Sequence, residues 1–248
     1  MKARVYTPGH LPGLVNSRTF VPIDDTLAKY GPAGKIFDSN LPLVYVDSFG
    51  VNIDGSTGGT RPFRPSYTIV IQPDPKTGRA SLTTPPGYAG PSGVHVRGES
   101  SAGFDQRSYA LELWDEYGAD RDASLLGMPA DSDWVLYGPW SEKTLMRNKL
   151  IFDAMLALRG HDGTAMRSRF IELFFNQSKP ANGLVGFATY KGIFLLMEKL
   201  KRGPDRVPIE NLNDKTVDTN LATGGYIIRK DKDDALKSNW TTSRFAIP

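Results

Sequence analysis

A chain of 248 residues with 40% hydrophobic and 23% charged residues has globular composition and enough length to bury a core. Its formal charge of +3 and pI near 9.0 are too slight to mark a nucleic-acid binder, and the run RKDKDD at 229–234 alternates in sign. The absence of cysteine excludes disulfides, thiolate chemistry and Cys-ligated zinc, while three scattered histidines, His10, His95 and His161, argue against an imidazole metal site.

Taken in chain order, MKARVYTPGHLPGLV is basic at its start but broken by Pro8 and Pro12, with no signal-peptide core. No stretch approaches the ~20 apolar residues of a membrane span. The chain is therefore expected to be either cytosolic or an internal piece of a longer protein. Residues 1–40 read as an extended leader. Leu43 to Val46 predicts a short strand, 52–66 is turn chemistry, and Tyr67 to Gln72 predicts another strand before the turn PDPKTG. Val94 to Arg97 and Arg107 to Trp114 predict a strand pair, with Tyr109, Leu111 and Leu113 on one face. Asp133 to Tyr137 is a further short strand. Over 142–159 the period changes. Met146, Leu150, Ile151, Ala154, Met155 and Leu158 recur at three and four residues, so a helix is predicted, with Ser141 at the N-cap. RFIELFF (169–175), GIFLLMEK (192–199) and GGYIIRK (224–230) predict strands. Short turns between strands imply a largely antiparallel sheet, and the expected class is α+β with the helix laid on the sheet.

The loop RGESSAGFDQR holds Gly98, Ser100 and Ser101 between Arg97 and Arg107. Such a loop can turn backbone N–H groups toward an anion, with the arginines adding charge against phosphates. It can equally be a hairpin loop whose glycines allow positive φ. Asp131-Ser132-Asp133 has the donors for a hard cation, but an Asx turn opening the next strand is the simpler account. Trp134 and Trp140 read as packing rather than a stacking platform. Lys143 and Arg147 share a helix face and repel unless an anion or carboxylate sits opposite. Glu198 is costly to bury without a cation. Pairing with Arg107 or Arg147 is one account, a solvated strand end the simpler one.

The series RGESSAGFDQRSYALELWDE, LLGMPADSDWVLY, EKTLMRN, ELFFN, YKGIFLLMEKLK with DRVPI, and TGGYIIRKD resembles the CotH family. These spore-coat-H-like proteins are regarded as atypical protein kinases. The resemblance covers about residues 41–240, leaving 241–248 as a tail. It implies a kinase-like N-lobe with part of a second lobe, ATP with Mg²⁺ or Mn²⁺, and a protein substrate. It also implies nucleotide contacts from Arg97, Gly98, Ser100, Ser101, Arg107, Arg147, Asn148 and Glu198. Three departures stand out. The family's Lys pair is Gln106-Arg107 here, and its Asp in the D-K-x-x-x-R-N pattern is Glu142. The family's downstream Asn-Val-Asp-like and Trp-Asp-Phe-Asp-like motifs, which by resemblance hold catalytic and metal-binding aspartates, do not occur in the chain. The expectation is a fragment of a longer secreted or surface protein. Alone it should transfer no phosphate, and surface meant for the missing C-terminal segment should lie exposed. A non-catalytic coat or adhesion module is the alternative reading, and a hydrolase using Asp131 and Asp133 a distant third.

Overall fold

Seven of the apolar stretches become strands of one closed barrel: β1 (Leu43–Asp47), β2 (Arg64–Ile71), β3 (Tyr88–Arg97), β4 (Ser108–Leu113), β5 (Asp133–Tyr137), β6 (Ser168–Asn176) and β7 (Tyr190–Glu198). The computed structural model describes residues 2–3, 5–11, 16–17, 20–54, 61–159, 165–177 and 184–209. The chain divides into two compact units, Met1–Leu200 and Lys201–Pro248. The barrel belongs to the first; in the second, Arg202 bridges Val207. The strand expected at 224–230 lies outside the described residues.

Strands β1 to β5 pair as an antiparallel meander. β7 then lies against β5, β6 against β7, and the parallel pairing of β6 with β1 closes the barrel. Because side chains alternate across a strand, each strand serves two layers. Val44, Val46, Val94, Val96, Tyr109, Leu111, Trp134, Leu136, Ile171 and Leu173 belong to the main buried cluster. The alternate residues Leu43, Tyr45, Ile69, Ile71 and Phe174 join a second one with Leu27, Phe37 and Val185. Leu27 lies in the short helix α1 (Asp25–Ala28), capped by Asp24, whose carboxylate accepts from the Thr26 N–H at 2.8 Å. Two-sided coverage explains why LVYV, IVI at 69–71 and LFF at 173–175 are continuous apolar runs.

The α+β expectation is overturned. The protein is mostly β, and the expected largely antiparallel sheet with a packed helix in a kinase-like N-lobe is replaced by a closed barrel. Local patterns identify strands, but closure depends on β6 reaching β1 across more than a hundred residues, which no local pattern reports. The helix exists, as α2 (Arg147–Arg159), yet the expected packing stripe faces outward. Met146, Leu150, Ile151, Met155 and Leu158 are all exposed. Phe152 is instead the helix residue that packs on the barrel's outer surface, against a cluster of Val135, Leu195 and Met197. Among the described residues, no helix is long and apolar enough to cross a membrane.

The helix also starts later than expected, because Glu142 rather than Ser141 organises its entry. The Glu142 carboxylate accepts from Thr144 Oγ1 (2.7 Å) and from the N–H groups of Thr144 (2.9 Å), Met146 (2.9 Å) and Arg147 (3.2 Å). The Thr144 hydroxyl, helped by these backbone donors, pulls the Glu142 carboxyl from the usual 4.5 to about 2. A group whose pKa falls on folding stabilises the fold above its unfolded value and loses that contribution as pH drops through the folded one. The helical far-UV dichroism of α2 should therefore weaken between about pH 4.5 and 2, and Glu142→Gln should flatten that part of the profile. Superimposable acid profiles for the two proteins would contradict this cap.

Candidate anion-binding site at the barrel mouth

The loop between β3 and β4 turns at Gly98 and continues as a single 3₁₀ turn, Ser100–Gly103. Gly98 sits at φ +95°, where an L side chain is strained, and a Cβ there would lie 2.1 Å from Ser101 Oγ. The turn thus needs glycine for its conformation, while the Ser101 hydroxyl could rotate aside to make room. Arg61, which the sequence did not single out, donates from Nη1 to the Gly98 carbonyl and pins the start of the loop.

At the far end of the loop, Gln106 and Arg107 divide their tasks. Gln106 Nε2 donates to the Ile193 carbonyl at 2.7 Å, tying the loop to β7. Arg107 Nε donates to the Ala102 carbonyl at 2.7 Å, and its Nη1 lies 3.6 Å from Asp54 Oδ1. Gly138, at the end of β5, packs on this backbone so tightly that a Cβ would meet the Gln106 carbonyl oxygen at 2.5 Å.

Asp54 is the centre of the mouth. Its Oδ1 accepts from the Tyr109 hydroxyl at 2.6 Å, and its Oδ2 from Gln177 Nε2 at 2.8 Å and Lys191 Nζ at 3.1 Å. Gln177 Oε1 in turn accepts from the N–H groups of Ile53 and Asp54, at 2.8 and 2.9 Å. Burial, the largest single influence, pushes the Asp54 carboxyl up, but the donors and the Lys191 charge together bring it below the ordinary value. Asp54 is therefore ionised at neutral pH. Burial first, and then the Asp54 charge, raise the Tyr109 phenol, which stays a protonated donor. Two cations around one carboxylate leave the cluster with one net positive charge. The side chains of Asp54, Arg107 and Lys191 are 21%, 24% and 30% exposed, so a solvent anion can reach them while water screens them incompletely.

The other expected residues differ in exposure and in the partners they take. Arg97, Gly98 and Ser100 are exposed and Ser101 half-buried. Arg147 is 79% exposed along its side chain and faces Glu142, with Nε at 3.6 Å from Oε1. Its expected repulsion from Lys143 is relieved, because Lys143 lies over the Trp140 ring at 4.1 Å from the centroid. Asn148 is exposed on the first turn of α2. Glu198 pairs with neither Arg107 nor Arg147. It is 1% exposed and held by Arg167, with Nη1 3.0 Å from Oε1 and the backbone N–H 2.9 Å from Oε2. The solvated-end reading fails with it. Asp131 does form the Asx turn, accepting from the Asp133 N–H at 2.9 Å, and Asp133 pairs with Lys199 at 2.7 Å.

Asp54, Tyr109, Gln177 and Lys191 were not identified from sequence as a site. Lys191 had the one legible signal, a cation opening an otherwise apolar strand. Asp54 sits in turn chemistry, NIDG, that carries no such mark. Among the described residues no three carboxylate, imidazole or thiol groups gather at one point, and Asp54 is already held by two cations. The described residues at this mouth do not fit Mg²⁺ or Mn²⁺.

A closed seven-strand barrel with a cationic cluster beside a glycine turn at its mouth defines an all-β domain. The chain matches the family described as CotH kinase protein over residues 94–244, and it belongs to that family. The match includes the loop, Arg107, α2, Lys191 and Glu198 but begins after Asp54. No curated protein matches the chain.

Proposed function

We propose that the chain is a CotH-like protein kinase domain whose barrel mouth receives the phosphates of ATP, in the service of phosphorylating surface or coat proteins. Family membership supports the general class, and function is argued from the site. The observation that carries the reading is the convergence of Arg107 and Lys191 on Asp54, with Arg107 also bonded to the Ala102 carbonyl of the Gly98–Gln106 loop. Phosphoryl transfer is catalysed chiefly by positioning and charge neutralisation, so a preformed pair of cations beside a glycine turn suits a polyphosphate. Arg107 supplies a planar fork of donors and Lys191 a compact ammonium with donors beyond the one given to Asp54.

Titration with a non-hydrolysable ATP analogue tests this. Arg107→Ala and Lys191→Ala should each weaken binding about tenfold to a hundredfold, the effect of losing a charged hydrogen bond of ~1.5–3 kcal/mol. Equal and negligible binding by the wild type and both variants would favour a non-catalytic coat module, for which the same loop is only a hairpin.

A further inference from the structure

We propose that Asp54, held by Tyr109 and Gln177, is the positioning residue that sets Arg107 and Lys191 at the spacing a run of contiguous phosphates requires. This rests on the reading of the mouth as a phosphate site. The two cations approach different oxygens of the same carboxylate, Arg107 at Oδ1 and Lys191 at Oδ2. The carboxylate cannot readily rotate away, because Tyr109 holds Oδ1, Gln177 holds Oδ2, and Gln177 also clamps the Asp54 backbone. Tyr109 is anchored in turn by the core, being 1% exposed with its ring 4.9 Å from that of Phe175. A rigid chain of contacts therefore runs from the barrel interior to the two charges at its rim.

Without the carboxylate, two like charges would face each other, and a lysine on a flexible four-carbon stem would swing into solvent. Asp54 neutralises one charge and keeps the other available. A polyphosphate long enough to span both cations gains from both, whereas orthophosphate engages one at a time. Two physical effects then predict opposite signs for Asp54→Asn. The field alone becomes more positive and would tighten any anion. Lost positioning would weaken polyphosphate despite the added charge.

The deciding experiment is calorimetric titration of inorganic tripolyphosphate and of orthophosphate into the wild type, Asp54→Asn and Tyr109→Phe. Asp54→Asn should bind tripolyphosphate about tenfold more weakly and lose most of the preference for it over orthophosphate. Tyr109→Phe keeps the buried ring and should shift both quantities the same way, by a smaller factor. Equal or tighter tripolyphosphate binding by Asp54→Asn overturns the proposal, as does an equal fall for both anions, which a merely structural role would give. If Asp54→Asn fails to fold, unchanged affinity and preference in Tyr109→Phe overturn it alone. A wild type that binds neither anion removes the phosphate reading itself and this proposal with it, a result distinct from binding that survives loss of Asp54.

Discussion

Truncating Glu198 to alanine should lower the unfolding free energy by about 3–5 kcal/mol, the usual cost of removing one partner from a buried ion pair. Glu198 ends β7 at 1% exposure, and Arg167, 15% exposed along its side chain, precedes β6. Arg167 grips the carboxylate, with Nη1 at 3.0 Å from Oε1 and 3.3 Å from Oε2 and its backbone N–H at 2.9 Å from Oε2. Alanine would leave the guanidinium charge in a poorly solvated place and a backbone donor without this acceptor, and both penalties act in the same direction. For a domain of this size the melting temperature should fall by about 6–20 °C. Glu198→Gln keeps an acceptor for the N–H group and should cost less. Thermal denaturation of both variants, alongside ATP-analogue titration, separates the two roles open to this residue. A melting temperature that holds steady while nucleotide affinity collapses would move Glu198 from the frame of the barrel to its site.

Trp134→Ala should cost about 3–5 kcal/mol, as expected for deleting a large aromatic from a packed core. Trp134 is 1% exposed in the main cluster and donates from Nε1 to the Asp131 carbonyl at 2.9 Å. Its loss opens a cavity and also strips the Asx turn of one contact. Trp140→Ala is the matched control. That ring is 37% exposed and covered on one side by Lys143, so its removal should change stability by no more than about 1 kcal/mol. Denaturant unfolding of the two variants reads the difference. Comparable midpoints would mean that the barrel tolerates a hole where Trp134 stood, against the close packing of protein interiors.

These two tryptophans also mark how far local reading reached. Both were expected to pack, since large aromatics usually do, yet only the fold separated one in the barrel from one resting under a lysine at its surface. Glu198 is similar. Its cost of burial was legible from sequence, but its partner was not, because Arg167 comes within reach only when β6 and β7 pair.

The sequence by itself determined the seven barrel strands, the existence of the long helix, the turn at Asp131 and the glycine requirement of the loop after Arg97. Each depends on residues a few positions apart: alternation across a strand, periodicity along a helix, a side chain capping its own turn. The tertiary structure alone decided that the sheet closes, through the parallel pairing of β1 with β6. It alone turned the apolar stripe of α2 outward, because packing was set by which helix face met the barrel, not by periodicity. It alone assembled the mouth from Asp54, Arg107, Tyr109, Gln177 and Lys191, residues drawn from four separate stretches of the chain. An isolated aspartate in a turn and a lysine at a strand end have no local signature, since what distinguishes them is the charge that folding places opposite each one.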